Sequence, residues 1–156
     1  MKILLAIDGS DFSKSAVKEL AKMPLPNDSE ISVMNVYEHP TVWAPDLLTM
    51  ETVRPYYKEV ISRAEKSAEK SAEKIVSEAA NELKNKNGTL KITTSVVSGL
   101  PKKEILEQAE AFGADLIVLG SQGHGALSRL LLGSVSQYIA THAKCSVMIA
   151  RNKDEK

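Results

Sequence analysis

Short apolar runs alternate along this chain with longer stretches in which apolar residues return every three or four positions. The runs predict strands at Lys2 to Asp8, Glu30 to Tyr37, Leu90 to Val97, Asp115 to Gly120 and Ser146 to Ala150. Leu116-Ile117-Val118-Leu119 is too short for most helices and apolar at every position, as in a strand buried on both faces. After the first strand, Ser10 or Ser13 can cap a helix that buries Phe12, Ala16, Leu20 and Met23 and stops at Pro24 and Pro26. Ile61, Ala64, Ala68, Ala72, Ile75, Ala79 and Leu83 form a narrow stripe on a long helix ending at Asn87-Gly88. Its repeat, Lys66-Ser67-Ala68-Glu69 and Lys70-Ser71-Ala72-Glu73, has period four and small apolar positions, which fits a solvated helix face packed on a sheet better than a coiled coil. Pro101 suits a first helical position, Ile105, Leu106 and Ala109 face inward, and Gly113 can end that helix in the left-handed conformation. A last helix opens near Ser134, carries Val135, Tyr138 and Ile139, and runs to about His142.

Strands and helices in strict alternation predict a single doubly wound α/β domain, a Rossmann-like fold. Its sheet is parallel, five-stranded, of order 3-2-1-4-5, with helices on both faces. Between the second strand and the long helix, His39 to Met50 holds two prolines, a lone Trp43 and no sustained period, and reads as a long loop. The domain spans residues 1–156, with residues 152–156 as a tail.

Composition narrows the function. With 43% hydrophobic but only 4% aromatic residues, the core is expected to be aliphatic. Twenty basic and twenty acidic residues cancel, so no net field draws the chain to nucleic acid or to an anionic membrane, and any affinity for phosphate has to be local. The apolar run Met1 to Ile7 is broken at Asp8, too early for a signal-peptide core or a membrane span, and the expected location is the cytoplasm. Cys145 stands alone, which excludes an internal disulfide and fits a core thiol in a reducing compartment.

The candidate chemistry lies in Leu119-Gly120-Ser121-Gln122-Gly123 and in Gly133-Ser134. Glycines let main-chain N–H groups approach an anion with no Cβ in the way, and a serine opening a helix adds a hydroxyl to the unpaired amides there. The same glycines also serve as plain turns. In a sheet of order 3-2-1-4-5 the loops leaving strands one and four diverge into a crevice, with Asp8 and Gly120 side by side at its mouth. An Asp there can accept hydrogen bonds from ribose hydroxyls, or it can start the Asp8-Gly9-Ser10 turn, and the two roles are compatible.

The spacing of Gly120, Gly123 and Gly133-Ser134, G-x2-G-x9-G-[S/T], resembles the nucleotide signature of the universal stress protein family, in particular its ATP-binding branch. The resemblance extends to Lys2 to Ser10 (KILLAIDGS), to Val97-Ser98-Gly99-Leu100-Pro101 and to Ser146 to Ala150; His39 to Asn87 carries none of the family's motifs. It implies that ATP is the cofactor, with Mg2+ arriving on the nucleotide. It further implies that Ala6, Ile7, Val36 and Val97 line the adenine slot, and that Asp8 holds the ribose. The phosphates would meet the amides of Gly123, His124, Gly133, Ser134 and Val135 and the hydroxyls of Ser121, Ser134 and Ser136, with Gly120 at the head of the loop. The resemblance also implies a homodimer formed through Ser146 to Ala150.

From Gly120 through Ala143 the sequence holds one full cation, Arg129, and no carboxylate, whereas phosphoryl-transfer sites usually combine a Lys or Arg with an acidic metal ligand. The expectation is a nucleotide-dependent stress sensor or switch with at most slow ATP hydrolysis. The competing readings are a small ATPase or nucleotidyl transferase on a related fold, a phosphoacceptor receiver, and a nucleotide-free dimeric interaction protein. The transferase reading lacks a His-x-Gly-His element after the first strand, where Asp8-Gly9-Ser10-Asp11 stands, and the receiver reading lacks a third acidic residue and a late-strand lysine.

Overall fold

A computed structural model of the chain describes residues 1–39, 53–123 and 132–151. Among these, five strands and four helices alternate: β1 (Lys2–Ala6), α1 (Asp11–Lys22), β2 (Glu30–Tyr37), α2 (Arg54–Lys86), β3 (Lys91–Ser98), α3 (Pro101–Phe112), β4 (Leu116–Gly120), α4 (Ser134–His142) and β5 (Ser146–Ala150). The strands form one parallel sheet in the order β3-β2-β1-β4-β5, as the sequence pattern predicts. The expected loop at residues 40–50 and the tail at 152–156 lie outside the described residues.

Side-chain alternation splits the interior into two layers. Ile3, Leu5 and Ile7 of the first strand segment pack with Ala16, Val17 and Leu20 of α1 and with Val76, Ala79 and Leu83 of α2. Leu4 and Ala6 face the other way, onto Ile105 and Ala109 of α3 and Ile139 of α4. Both layers are almost wholly aliphatic.

The element ends differ from the sequence expectation by a residue or two, each for a local reason. β1 stops at Ala6 although the Ile7 N–H still reaches the Met34 carbonyl at 3.0 Å, because Gly9, with φ of 85°, turns the chain away immediately afterwards. β3 is displaced by one residue, since the Lys91 N–H is the first to cross to the neighbouring strand, at the Ser29 carbonyl. At the opposite end of the sheet Asp115 precedes β4 and pairs with Lys2 through its carboxylate (2.7 Å) and its own amide (2.8 Å).

Ser10 is the cap of α1, accepting from the Ser13 N–H at 3.2 Å. Phe12 and Met23 are half-buried, while Ser13 and Val17 occupy the buried positions of that helix. α2 has 33 residues, about 50 Å at 1.5 Å per residue. Only its second half is buried, at Ala72, Val76, Ala79, Ala80 and Leu83; the charged and serine positions of the four-residue repeat are exposed. Gly113 ends α3 with φ of 67° and ψ of 47°, its N–H bonded back to the helix. Among the described residues no helix is long and apolar enough to cross a membrane.

Candidate functional site

β1 and β4 are neighbours, with Ala6 opposite Leu119, so their carboxyl ends open side by side where the chain order reverses across the sheet. On the β1 side a connected turn holds Asp8. Its Oδ1 accepts from the Ser10 N–H at 3.0 Å, while the Ser13 hydroxyl accepts from the Gly9 N–H at 3.0 Å and donates to the Ser10 carbonyl at 2.9 Å. The turn-initiating role of Asp8 is therefore present, and it uses one carboxylate oxygen. The other faces β4's exit: a Cβ placed on Gly123 would lie 2.7 Å from Asp8 Oδ2.

On the β4 side the glycine segment is anchored by main-chain bonds. The Ser121 N–H donates to the Ala150 carbonyl and the Gly133 N–H to the Ser121 carbonyl, both at 2.8 Å. A Cβ on Gly133 would stand 3.2 Å from Gln122 Cα and 3.4 Å from the Ser121 oxygen, so the start of α4 lies flush against the loop leaving β4. The Ser136 hydroxyl, buried, donates to the Gly120 carbonyl at 2.8 Å. Thus the chain on either side of residues 124–131 is brought to one place. Gly133 is the N-cap of α4, and the first helical bond runs from the Gln137 N–H to the Gly133 carbonyl. This leaves the amides of Ser134, Val135 and Ser136 in the first turn, outside the helical ladder and at its positive end. Ser134 is exposed, Val135 half-buried, and Ser121 and Gln122 buried.

The sequence-predicted residues thus fall into groups. Asp8, Gly120, Ser121, Gly123, Gly133, Ser134, Val135 and Ser136 surround the mouth between β1 and β4. Ala6, Val36 and Val97 share one face of the sheet, on the α3–α4 side, with Val36 paired to Val97 across β2 and β3. Ile7 does not join them: period-two alternation sends its side chain into the α1–α2 layer. Its backbone is engaged as well, with the N–H on Met34 and the carbonyl accepting from Asn35 Nδ2 at 2.8 Å. Gly120 is glycine for a packing reason, since a Cβ there would meet the Phe12 carbonyl carbon at 2.7 Å and oxygen at 2.8 Å. His124 and Arg129 lie outside the described residues.

Three residues that shape this mouth carry a weaker sequence signal. Asn35 is a buried amide inside the apolar run Ile31 to Tyr37, a polar interruption that marks a buried bond. Ser13 and Gly9 set the turn that orients Asp8, and their spacing resembles any serine-rich helix start. Far from the mouth, burial pushes the Cys145 thiol up from its ordinary value, as in an unreactive structural cysteine. Among the described residues no cluster of three or more His, Cys, Asp or Glu side chains is placed to hold a metal ion.

A doubly wound parallel sheet with a glycine-lined mouth at its switch point defines a Rossmann-like α/β protein. The chain belongs to the universal stress protein family, whose family model matches residues 1–151. It is 33% identical over 151 residues to the universal stress protein MJ0531 of Methanocaldococcus jannaschii, covering 96% of this chain and 81% of that one. To the universal stress protein YxiE of Bacillus subtilis it is 31% identical over 150 residues, covering 96% and 98%. Among solved structures it superposes on that of the hypothetical protein MJ0577 with a TM-score of 0.78 at 24% identity, covering 98% and 96%. Two more distant neighbours carry nucleotides. One is a universal stress protein in complex with cAMP, with a TM-score of 0.60 at 24% identity and coverage of 97% and 96%. The other, from Arabidopsis thaliana, has AMP bound, with a TM-score of 0.62 at 18% identity and coverage of 99% and 94%.

Proposed function

We propose that this chain binds adenine nucleotides, ATP above all, in the mouth between β1 and β4, and acts as a nucleotide-dependent stress-response switch rather than a metabolic enzyme. The observation that carries the reading is the convergence of Asp8, Gly123 and the Gly133-Ser134 start of α4, three segments distant in sequence, on one opening. A close approach at Gly123, where a Cβ would lie 2.7 Å from Asp8 Oδ2, and a tight one at Gly133, 3.2 Å from Gln122 Cα, support a cradle of main-chain amides there. The two nucleotide-bound relatives of the same fold support adenosine phosphates as the ligand class.

In this reading the amides of Gly123, Ser134 and Val135 and the hydroxyls of Ser121 and Ser134 bind the phosphates, while Gly133, its amide committed to the Ser121 carbonyl, sets the start of α4 beside them. Ser136 contributes its amide, its hydroxyl being committed to Gly120. The family resemblance adds the amide of His124 to this set. Asp8 binds the ribose hydroxyls through its carboxylate. Ala6, Val36 and Val97 supply the apolar surface for adenine, and Ile7 contributes only as backbone beneath it. When bound, the nucleotide brings its own Mg2+. With a single full cation and no carboxylate in the sequence from Gly120 through Ala143, hydrolysis is slow at most.

Bound nucleotide changes the surface of the loop joining β4 to α4 and so what that surface presents to partners. β5 lies at the edge of the sheet, exposing main-chain groups for pairing with β5 of a second copy, and the homodimer forms there in the cytoplasm. The test is heat denaturation of the purified chain followed by mass analysis of what is released, joined to calorimetric titration of emptied protein with ATP, AMP and cAMP. Saturable binding of ATP supports the reading. Failure of all three to bind rejects it in favour of a nucleotide-free dimeric protein, and phosphate or pyrophosphate release well above one turnover per minute favours a small ATPase or nucleotidyl transferase.

A further inference from the structure

Beside the nucleotide mouth, at the same carboxyl end of the sheet, three side chains from three elements form a relay. Ser98 is the last residue of β3 and is paired in register with Tyr37, the last residue of β2. Two residues beyond Tyr37, His39 places Nε2 2.8 Å from the Ser98 hydroxyl oxygen and Nδ1 3.3 Å from Oε1 of Glu65 on α2. The Glu65 carboxylate lies in ion contact with the Nδ1 side of the ring, which favours the proton there and leaves Nε2 to accept from the serine hydroxyl. A hydroxyl in hydrogen-bond reach of an imidazole, itself oriented by a carboxylate on the other ring nitrogen, is the arrangement that makes a serine nucleophilic.

We propose that Ser98, His39 and Glu65 form a second functional site, which hydrolyses small carboxylic esters by acyl transfer to Ser98. This inference is independent of the nucleotide reading. Ser98 Oγ attacks the ester carbonyl carbon as its proton passes to His39 Nε2. The tetrahedral intermediate collapses by breaking the bond to the alcohol oxygen, which leaves with the proton from Nε2. Water then attacks the acyl carbon, gives its proton to Nε2, and releases the acid as Ser98 Oγ recovers the proton. Ser98 and His39 are the catalytic residues, and Glu65 is a positioning residue.

Leu100, 66% exposed two residues from the nucleophile, offers an apolar contact to the acyl group. The side chains of His39 and Glu65 are 63% and 41% exposed, so small esters reach the relay directly and turnover is modest.

The experiment uses the full chain with p-nitrophenyl acetate and a fluorophosphonate probe, alongside Ser98→Ala, His39→Gln and Glu65→Gln, with folding checked by thermal melting. The expected result is a single phosphonate adduct on Ser98 and ester hydrolysis about 10²-fold faster than in Ser98→Ala or His39→Gln. Glu65→Gln should lower kcat with KM little changed, and Glu65→Asp should recover part of the loss, as a positioning role requires. His39→Gln exposes no core surface and tests the site even if Ser98→Ala is unstable. Absence of an adduct on Ser98, or equal hydrolysis by folded wild type and His39→Gln, would overturn the proposal and leave the three residues as a clip between α2 and β3.

Discussion

Asp8 and Gly123 meet across the β1–β4 mouth so closely that a Cβ on the glycine would stand 2.7 Å from the carboxylate oxygen Oδ2. Asp8 is short and its other oxygen is held by the Ser10 amide, so the carboxylate can yield only by leaving the orientation that the turn gives it. Gly123→Ala should therefore act mainly by displacing Asp8. Calorimetry should show Gly123→Ala and Asp8→Ala each weakening ATP binding, with the double variant losing much less than the sum of the two. Strict additivity would mean that the two positions act separately.

Ser134 is exposed in the first turn of α4, where the amides point outward. An added carboxylate there complements the helix dipole but repels phosphate. Ser134→Asp is expected to stabilise the folded chain by about 0.3–1 kcal/mol at low salt while weakening ATP binding by tenfold or more, about 1.4 kcal/mol. Thermal melting and calorimetry on one preparation would move in opposite directions, which generalised damage cannot produce.

Gly120 and Gly88 predict opposite responses to the same substitution. Gly120→Ala drives a methyl against the Phe12 main chain and is expected to cost about 1–3 kcal/mol in denaturant unfolding. A Cβ on Gly88 meets nothing within 4 Å. Gly88→Ala should thus be neutral or stabilising by up to about 1 kcal/mol, through the unfolded chain.

The buried hydroxyl of Ser136 is the side-chain tie between α4 and the carbonyl of Gly120. Ser136→Ala leaves that carbonyl without the partner and should cost about 1–3 kcal/mol. Because α4's first turn is positioned through it, the ATP affinity should fall as well, which parallel melting and calorimetry would show.

Sedimentation tests the β5 edge. A dimer of the 17.0 kDa chain at micromolar concentration is expected, and Met148→Lys, which places a charge in the middle of β5, should return it to monomer. A wild-type monomer under these conditions contradicts dimerisation through β5.

Much of this architecture was legible in the apolar runs. Strands buried on both faces leave runs such as Ile117-Val118-Leu119 that no exposed element tolerates, and the alternation with helices left the parallel sheet as the natural solution. The glycine spacing located the mouth because close backbone approach demands a missing Cβ whatever the surrounding sequence. It did not separate the reasons: Gly123 and Gly133 face the mouth and the loop, whereas Gly120 makes room for α1. A resemblance carries positions but not parity, and period-two alternation sends the Ile7 side chain to the α1–α2 layer, opposite that of its neighbour Ala6. The Ser98–His39–Glu65 relay left no local pattern, since its members come from a strand end, a loop entry and a helix and meet only in the folded chain.

The central claim is that main-chain amides from both sides of the β4–α4 connection grip the phosphates of an adenine nucleotide. It is tested most directly by titrating ATP into the 15N-labelled chain and following each amide. The account predicts saturable shifts concentrated at Asp8 and Gly9, at Gly120 to Gly123 and at Gly133 to Ser136. Unmoved amides in those segments at saturating ATP, or shifts confined to the opposite end of the sheet around Lys144 and Cys145, would contradict it.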